Sequence, residues 1–256
     1  MSRSRLDEVF AGNDLDRTVW SPHYLPHWSS RAESAATYAV RDGELHLTIP
    51  PDQPLWCADR HPEPLRVSAV QSASWSGPVG STVGPQPFQA GLVVREEQPP
   101  FRGYTPTYAD VEIRMRAMIG ARSMAAFWLS GLDDSPGRSA EICVVEIFGD
   151  AIRDGIAQVG MGIKAFRDPA LREAFATERV ALDVAAFHTY GVAWRPGSVM
   201  FTIDGREVRR LDQAPDYPLQ LEIGVFDFPR RPARPGDPAV PELVVAHVRG
   251  RPTADA

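Results

Sequence analysis

The sequence has only two cysteines, Cys57 and Cys143, in 256 residues, and two cysteines cannot build a disulfide scaffold. No apolar stretch follows the basic start Met-Ser-Arg-Ser-Arg, so no secretory signal peptide is visible. Both thiols are therefore expected to be reduced and the cytoplasm is the expected compartment. No apolar run approaches transmembrane length. The formal net charge of −6 argues against a generic nucleic-acid or anionic-membrane binder. The histidines are scattered without metal-ligand spacing, so no metal and no other cofactor is expected. The loop over residues 76–85 is glycine-rich but lacks a following Lys-Ser/Thr and helix, which excludes a phosphate-binding loop. Arg249-Gly-Arg-Pro252 copies the core of a minor-groove AT-hook, yet it stands at a strand end without flanking basic residues. Nucleic acid is not an expected partner.

What the chain does have is many short β-rich runs. Residues 1–40 carry Trp20, His23, Tyr24, His27 and Trp28 without a period, and read as a wrapping segment with an early strand or two. Residues 44–49 follow the turn pair Asp42-Gly43 and alternate as a strand. Further strands are expected at 67–74, 92–95, 110–117, 124–129, 156–166, 188–194, 198–203, 206–210, 219–226 and 243–249. Residues 110–117 alternate strictly, with Val111, Ile113, Met115 and Ala117 inward. Residues 124–129 are apolar on both faces, so that strand is covered on both sides or lines an apolar cleft. Asp168 as N-cap and Pro169 in the first turn predict one short surface helix over 168–176. No internal repeat is visible. Many strands, one helix and no βαβ alternation predict an all-β antiparallel sandwich or jelly roll. It is expected to span 1–256 as a single domain, with 250–256 as a tail.

The most informative run is Arg138-Ser-Ala-Glu-Ile-Cys-Val-Val-Glu-Ile-Phe-Gly149. On a regular strand Glu141 and Glu146, five apart, point to opposite faces. A β-bulge at Val144-Val145 restores the parity and puts Glu141, Cys143 and Glu146 on one face. Ile142, a valine and Ile147 then take the other, which suits a core. The polar face is either solvated or lines a cleft. Two carboxyl groups on one face have a specific use, because a retaining glycosidase needs a nucleophile and a general acid roughly 5–5.5 Å apart.

Four runs, in this order and spacing, together resemble glycoside hydrolase family 16, the laminarinase and lichenase-type endo-β-glucanases. They are Ala126-Phe-Trp-Leu129, Glu141-Ile-Cys-Val-Val-Glu146, Phe187-His-Thr-Tyr-Gly-Val-Ala-Trp-Arg-Pro196 and Phe201-Thr-Ile-Asp-Gly205. The resemblance covers roughly residues 90–250. It implies a concanavalin A-like jelly roll of two curved antiparallel sheets, the concave one carrying a sugar cleft. It also implies Glu141 as nucleophile, Glu146 as general acid/base and Trp128 as an aromatic bordering the cleft. Glu222, Phe226 and Tyr104 are added as expected substrate contacts, whereas Trp194 is expected in the core with Tyr190 and Val192.

Three departures bear on activity. Cys143 stands where the family has Asp between the glutamates; a thiol is a weak donor, and two neighbouring carboxylates keep it neutral. Catalysis is expected to be reduced or altered. Residues 156–166 lack the His that many members present to the cleft and carry Lys164 instead. Ala246 replaces the Asp through which members often bind a structural calcium, so no calcium is expected. The leading expectation is a retaining endo-β-glycosidase acting on a β-glucan-like carbohydrate. The alternatives are a noncatalytic, lectin-like carbohydrate binder on the same fold and a relative with other chemistry, such as transglycosylation.

Overall fold

A computed structural model describes residues 4–253; the outermost residues of the expected wrapping segment and tail, 1–3 and 254–256, lie outside them. The strands are β1 (Leu6–Glu8), β2 (Thr37–Arg41), β3 (Glu44–Thr48), β4 (Arg66–Gln71), β5 (Ala73–Ser74), β6 (Phe101–Arg102), β7 (Ala109–Met118) and β8 (Ser123–Gly131). They continue as β9 (Glu141–Phe148), β10 (Ile152–Arg153), β11 (Ile156–Lys164), β12 (Ala176–Ala181), β13 (His188–Arg195), β14 (Ser198–Ile203), β15 (Arg206–Leu211), β16 (Leu219–Asp227) and β17 (Glu242–Pro252).

Two antiparallel sheets carry the fold. One runs β15-β14-β13-β7-β17-β3-β2, with β1 added beside β17. The other runs β10-β11-β9-β8-β16-β4, with β12 beside β11. Several hairpins close on two residues of positive φ: Asp42-Gly43, Asp154-Gly155 and Asp204-Gly205. That geometry matches the twist of the strands they join. Between the sheets the inward residues interdigitate, among them Val111, Ile113 and Met115 of β7, Phe127 and Leu129 of β8, and Ile142 and Ile147 of β9. Trp194, Tyr190 and Val192 join this core as expected, and the Trp194 indole N–H donates to Pro215 O at 2.9 Å.

A second apolar cluster sits on the outer, concave face of the β8–β9–β16 sheet. Chain from the first hundred residues is laid over it, with Leu25, Trp28, Trp56 and Cys57 packed on Val67, Ala69, Trp128 and Phe226. The wrapping segment thus holds β1, β2 and a 3-10 turn at Pro26–Trp28, and it roofs part of the concave sheet.

Three local expectations are corrected. Residues 168–176 form no helix: Asp168 Oδ1 does accept the Ala170 N–H at 2.8 Å, but only a turn follows. The Ala174 N–H bonds to Ile163 O and the Tyr217 hydroxyl takes the other Asp168 oxygen, so tertiary bonds hold extended a run too short to be a stable helix alone. Among the described residues helical structure is confined to the two 3-10 turns, Pro26–Trp28 and Gly149–Ala151. Residues 92–95 are not a strand either, because Val94 N–H and Arg95 N–H bond into loops at Ser81 and His27. The start of the expected tail is strand, since Gly250–Pro252 complete β17.

Candidate active site

The site is built on β9, and its key feature is one extra residue. Against β8, Cys143 pairs with Trp128 while Val145 pairs with Phe127; against β11, Cys143 pairs with Gly162 while Glu146 pairs with Gly160. The bulge is therefore in β9, at Val144-Val145, relative to both neighbours. Both valines are buried in the intersheet core with Ile142 and Ile147. Glu141, Cys143, Glu146 and Phe148 stand on the concave face, in register with Ser130, Trp128, Ala126 and Met124 of β8. The next strand continues these rows with Gln220, Glu222, Gly224 and Phe226.

Lys164, directly opposite Glu141 on β11, closes the pair. Its Nζ is 3.0 Å from Glu146 Oε2 and 4.0 Å from Glu141 Oε2. The two carboxylate oxygens can therefore be no more than about 7 Å apart, a range that includes the separation of a retaining pair. Lys164 is the only lysine in the sequence. Burial works against its charge, but Cys143, Glu141 and Glu146 outweigh that and lift its pKa above the ordinary lysine value.

Glu141 is almost fully buried, and burial pushes its carboxyl up to about 8 against the pull of Lys164. The Cys143 Sγ lies 3.8 Å from Glu141 Oε2 and can donate to it. Burial drives the Cys143 thiol well above its ordinary pKa, so it is a neutral, weak donor. On the same face, next to Trp128, Glu222 is fully buried. Its Oε1 accepts from Ser130 Oγ at 2.5 Å, from Gln220 Nε2 at 3.2 Å and from Gln86 Nε2. Burial nonetheless pushes Glu222 up to about 7.

Above these groups is a cleft of about 450 Å³, the size of a small-ligand site. Trp128, Phe226 and Tyr24 border it, and Glu141, Cys143, Glu146 and Lys164 reach into it. At one side Arg231 stacks on Phe228, 3.7 Å from the ring centroid, and pairs with Glu63 at 2.7 Å. The Phe175 ring covers Lys164, its centroid 4.7 Å from Nζ. Gly160 and Gly162 permit that: a Cβ on Gly160 would lie 2.5 Å from the Phe175 ring, and one on Gly162 would lie 2.2 Å from Ala174 O.

The structure thus brings together Glu141, Glu146, Cys143, Trp128 and Phe226, with Glu222 on the same face but closed off from the cleft, held by Gln86, Ser130 and Gln220. Tyr104 is not there. It is fully buried in the intersheet core, where a Cβ on Gly250 of β17 would lie 2.2 Å from its hydroxyl; an aromatic locked against the far sheet cannot touch a ligand here. Sequence reasoning missed Tyr24, Gln86, His61, Phe148 and Arg231, all of which border the cleft. Of these only Phe148 carried a usable signal, as the next same-face residue after Glu146. Among the described residues no three His, Cys, Asp or Glu side chains gather into a metal site. The AT-hook-like run is ordinary strand, with Arg249 paired to Asp7 and Glu112. Among the described residues no helix is long and apolar enough to cross a membrane.

Comparisons with known proteins bear on the fold and the family. The GlcNAcα1-4Gal releasing endo-β-galactosidase from Clostridium perfringens superposes with a TM-score of 0.82 at 24% identity, over 96% of this chain and 60% of that one. This chain therefore spans less than two thirds of that protein's length. The β-glucanase of Bacillus licheniformis superposes with a TM-score of 0.62 at 14% identity, over 98% and 99% of the two chains. A laminarinase from Flavobacterium sp. UMI-01 gives 0.61 at 14% identity, over 96% and 98%. These likenesses show the fold, a jelly roll of two curved antiparallel sheets. A search of curated proteins finds no match. The family model for glycosyl hydrolases family 16 matches residues 104–234, about half of the chain and the part that contains β7 to β16, so this chain belongs to glycosyl hydrolases family 16.

Proposed function

We propose that the chain is a retaining endo-β-glycosidase acting on a β-glucan-like polysaccharide or oligosaccharide, with Glu141 as nucleophile and Glu146 as general acid/base. The observation that carries this reading is the bulge, which turns both carboxyl groups into one cleft and within 4.0 Å of one ammonium. Glu141 attacks the anomeric carbon as the glycosidic C–O bond breaks, and Glu146 gives its proton to the leaving oxygen. Glu146 then takes a proton from water, whose oxygen displaces Glu141 from the glycosyl ester. Trp128 and Phe226 offer flat apolar faces to the C–H faces of the sugar rings. Substrate has to draw Lys164 away from Glu146 before that carboxyl can hand over a proton. With a thiol in place of the Asp, turnover is expected to be slow. The higher TM-score against the endo-β-galactosidase supports adding β-galactosides to the substrates tested.

A second reading is a lectin-like binder that keeps the cleft without turnover. The bridging ammonium and the thiol at Cys143 favour it. Incubation with laminarin, lichenan and β-galactan, following reducing ends, separates the two. Cleavage that Glu141→Gln abolishes supports the glycosidase, and binding without cleavage supports the lectin.

A further inference from the structure

The cleft is not a through-going trough. On the β4 side the concave-face residues Val67, Ala69 and Gln71 are at most 2% exposed, because early chain is packed on them. The Leu25 N–H donates to Gln71 Oε1 at 3.1 Å, and Leu25, Trp28, Trp56 and Cys57 fill the space above Val67 and Ala69. The face of this plug is Tyr24, whose ring centroid is 5.0 Å from Trp56, 5.4 Å from Phe226 and 6.3 Å from Trp128. A small bay of about 150 Å³ opens beside it, lined by Tyr24, Trp56, His61 and Phe88 and reaching Glu141. Trp56 Nε1 is buried there without a hydrogen-bond partner, a donor left for a hydroxyl. In the opposite direction the cleft runs on past Glu146 over Gly160. There it is an open groove of about 340 Å³ with Gln158, Thr177 and Asp150 on its rim.

From this asymmetry we infer that the protein holds a short non-reducing end of a glycan against Tyr24 and cuts an internal linkage at a fixed distance from that end. The inference rests on the glycosidase reading above. The acid must stand beside the leaving oxygen, and Glu146 borders the open groove while Glu141 borders the blind bay. The leaving part of the chain therefore runs out over Gly160 and can be long. The part bonded to Glu141 is stopped by the Tyr24 and Trp56 rings and must be short. Tyr24 is thus a specificity-determining residue that sets the length of the released piece.

The test is product analysis on laminarin, lichenan and β-galactan, and on oligosaccharides of each labelled at the reducing end. The expected result is one short unlabelled product from the earliest times, with the label kept on the remainder and viscosity falling slowly. Tyr24→Phe should leave the product length unchanged, and Tyr24→Ala should add longer products. An early mixture of many lengths with rapid loss of viscosity would overturn the inference while leaving the glycosidase reading intact. Absence of cleavage on every glycan would remove both.

Discussion

Lys164 and Glu146, on neighbouring strands, form a 3.0 Å ion pair on the cleft floor, and the same ammonium reaches Glu141 at 4.0 Å. Burial raises the Glu141 carboxyl and Lys164 is the stronger of the two groups that lower it, so Lys164 helps to set where the proposed nucleophile ionises. In the natural chain kcat/KM should rise with pH up to about 8, as Glu141 loses its proton. In Lys164→Met that rise should move to higher pH, with activity at pH 7 lower by about tenfold, the equivalent of one pH unit. A pH profile of both proteins checks this, and an unmoved limb would separate Lys164 from the chemistry.

Glu222 makes a second pH-dependent prediction, on stability. Its folded pKa of about 7 lies above the ordinary carboxyl value of 4.5, so the folded protein binds more protons than the unfolded one between those values. Stability then falls as pH rises through that window and stays low above it. The cost at pH 8–9 is on the order of 3 kcal/mol. Glu222→Gln keeps an oxygen for Ser130 and removes the charge. Its melting temperature should exceed that of the natural chain at pH 9 and nearly match it at pH 5, as measured by thermal melts at both.

Cys143→Asp places a carboxyl where the thiol makes only a 3.8 Å contact with Glu141. A carboxylic acid is the better donor to Glu141, so kcat should rise several-fold. The same change buries another polar group and should cost about 1–3 kcal/mol of stability. Kinetics and denaturant melts on one preparation test both halves. A fall in kcat would mean that the thiol suits this site better than a carboxyl.

General-acid catalysis contributes about 10²–10⁴-fold, and Glu146→Gln should lose that much on a natural glycan. An aryl glycoside with a good leaving group needs no proton and should lose far less. Equal losses on both substrates would deny Glu146 the acid role.

Much of this was legible because strand parity is strict. The five-residue spacing of two glutamates among core residues required a bulge, and β9 has one at Val144-Val145. The same parity put Trp128 on the cleft face and Trp194 in the core. Irregular chain was not legible in this way. Asp168 accepts the Ala170 N–H as a cap would, yet no helix follows, because bonds from Ala174 and Tyr217 decide the backbone beyond it. Tyr104 and Tyr24 are both loop aromatics with no period, and packing alone sent one between the sheets and the other to the cleft wall. Lys164 stood out as a substitution for His, but only the register of β11 against β9 shows that it spans both glutamates.

The most direct measurement is covalent trapping with the activated 2-deoxy-2-fluoro analogue of the sugar that is cleaved, followed by peptide mass analysis. A single glycosyl adduct on Glu141 is expected in the natural chain and none in Glu141→Gln. An adduct on Glu146, or undiminished hydrolysis by Glu141→Gln, would contradict that expectation.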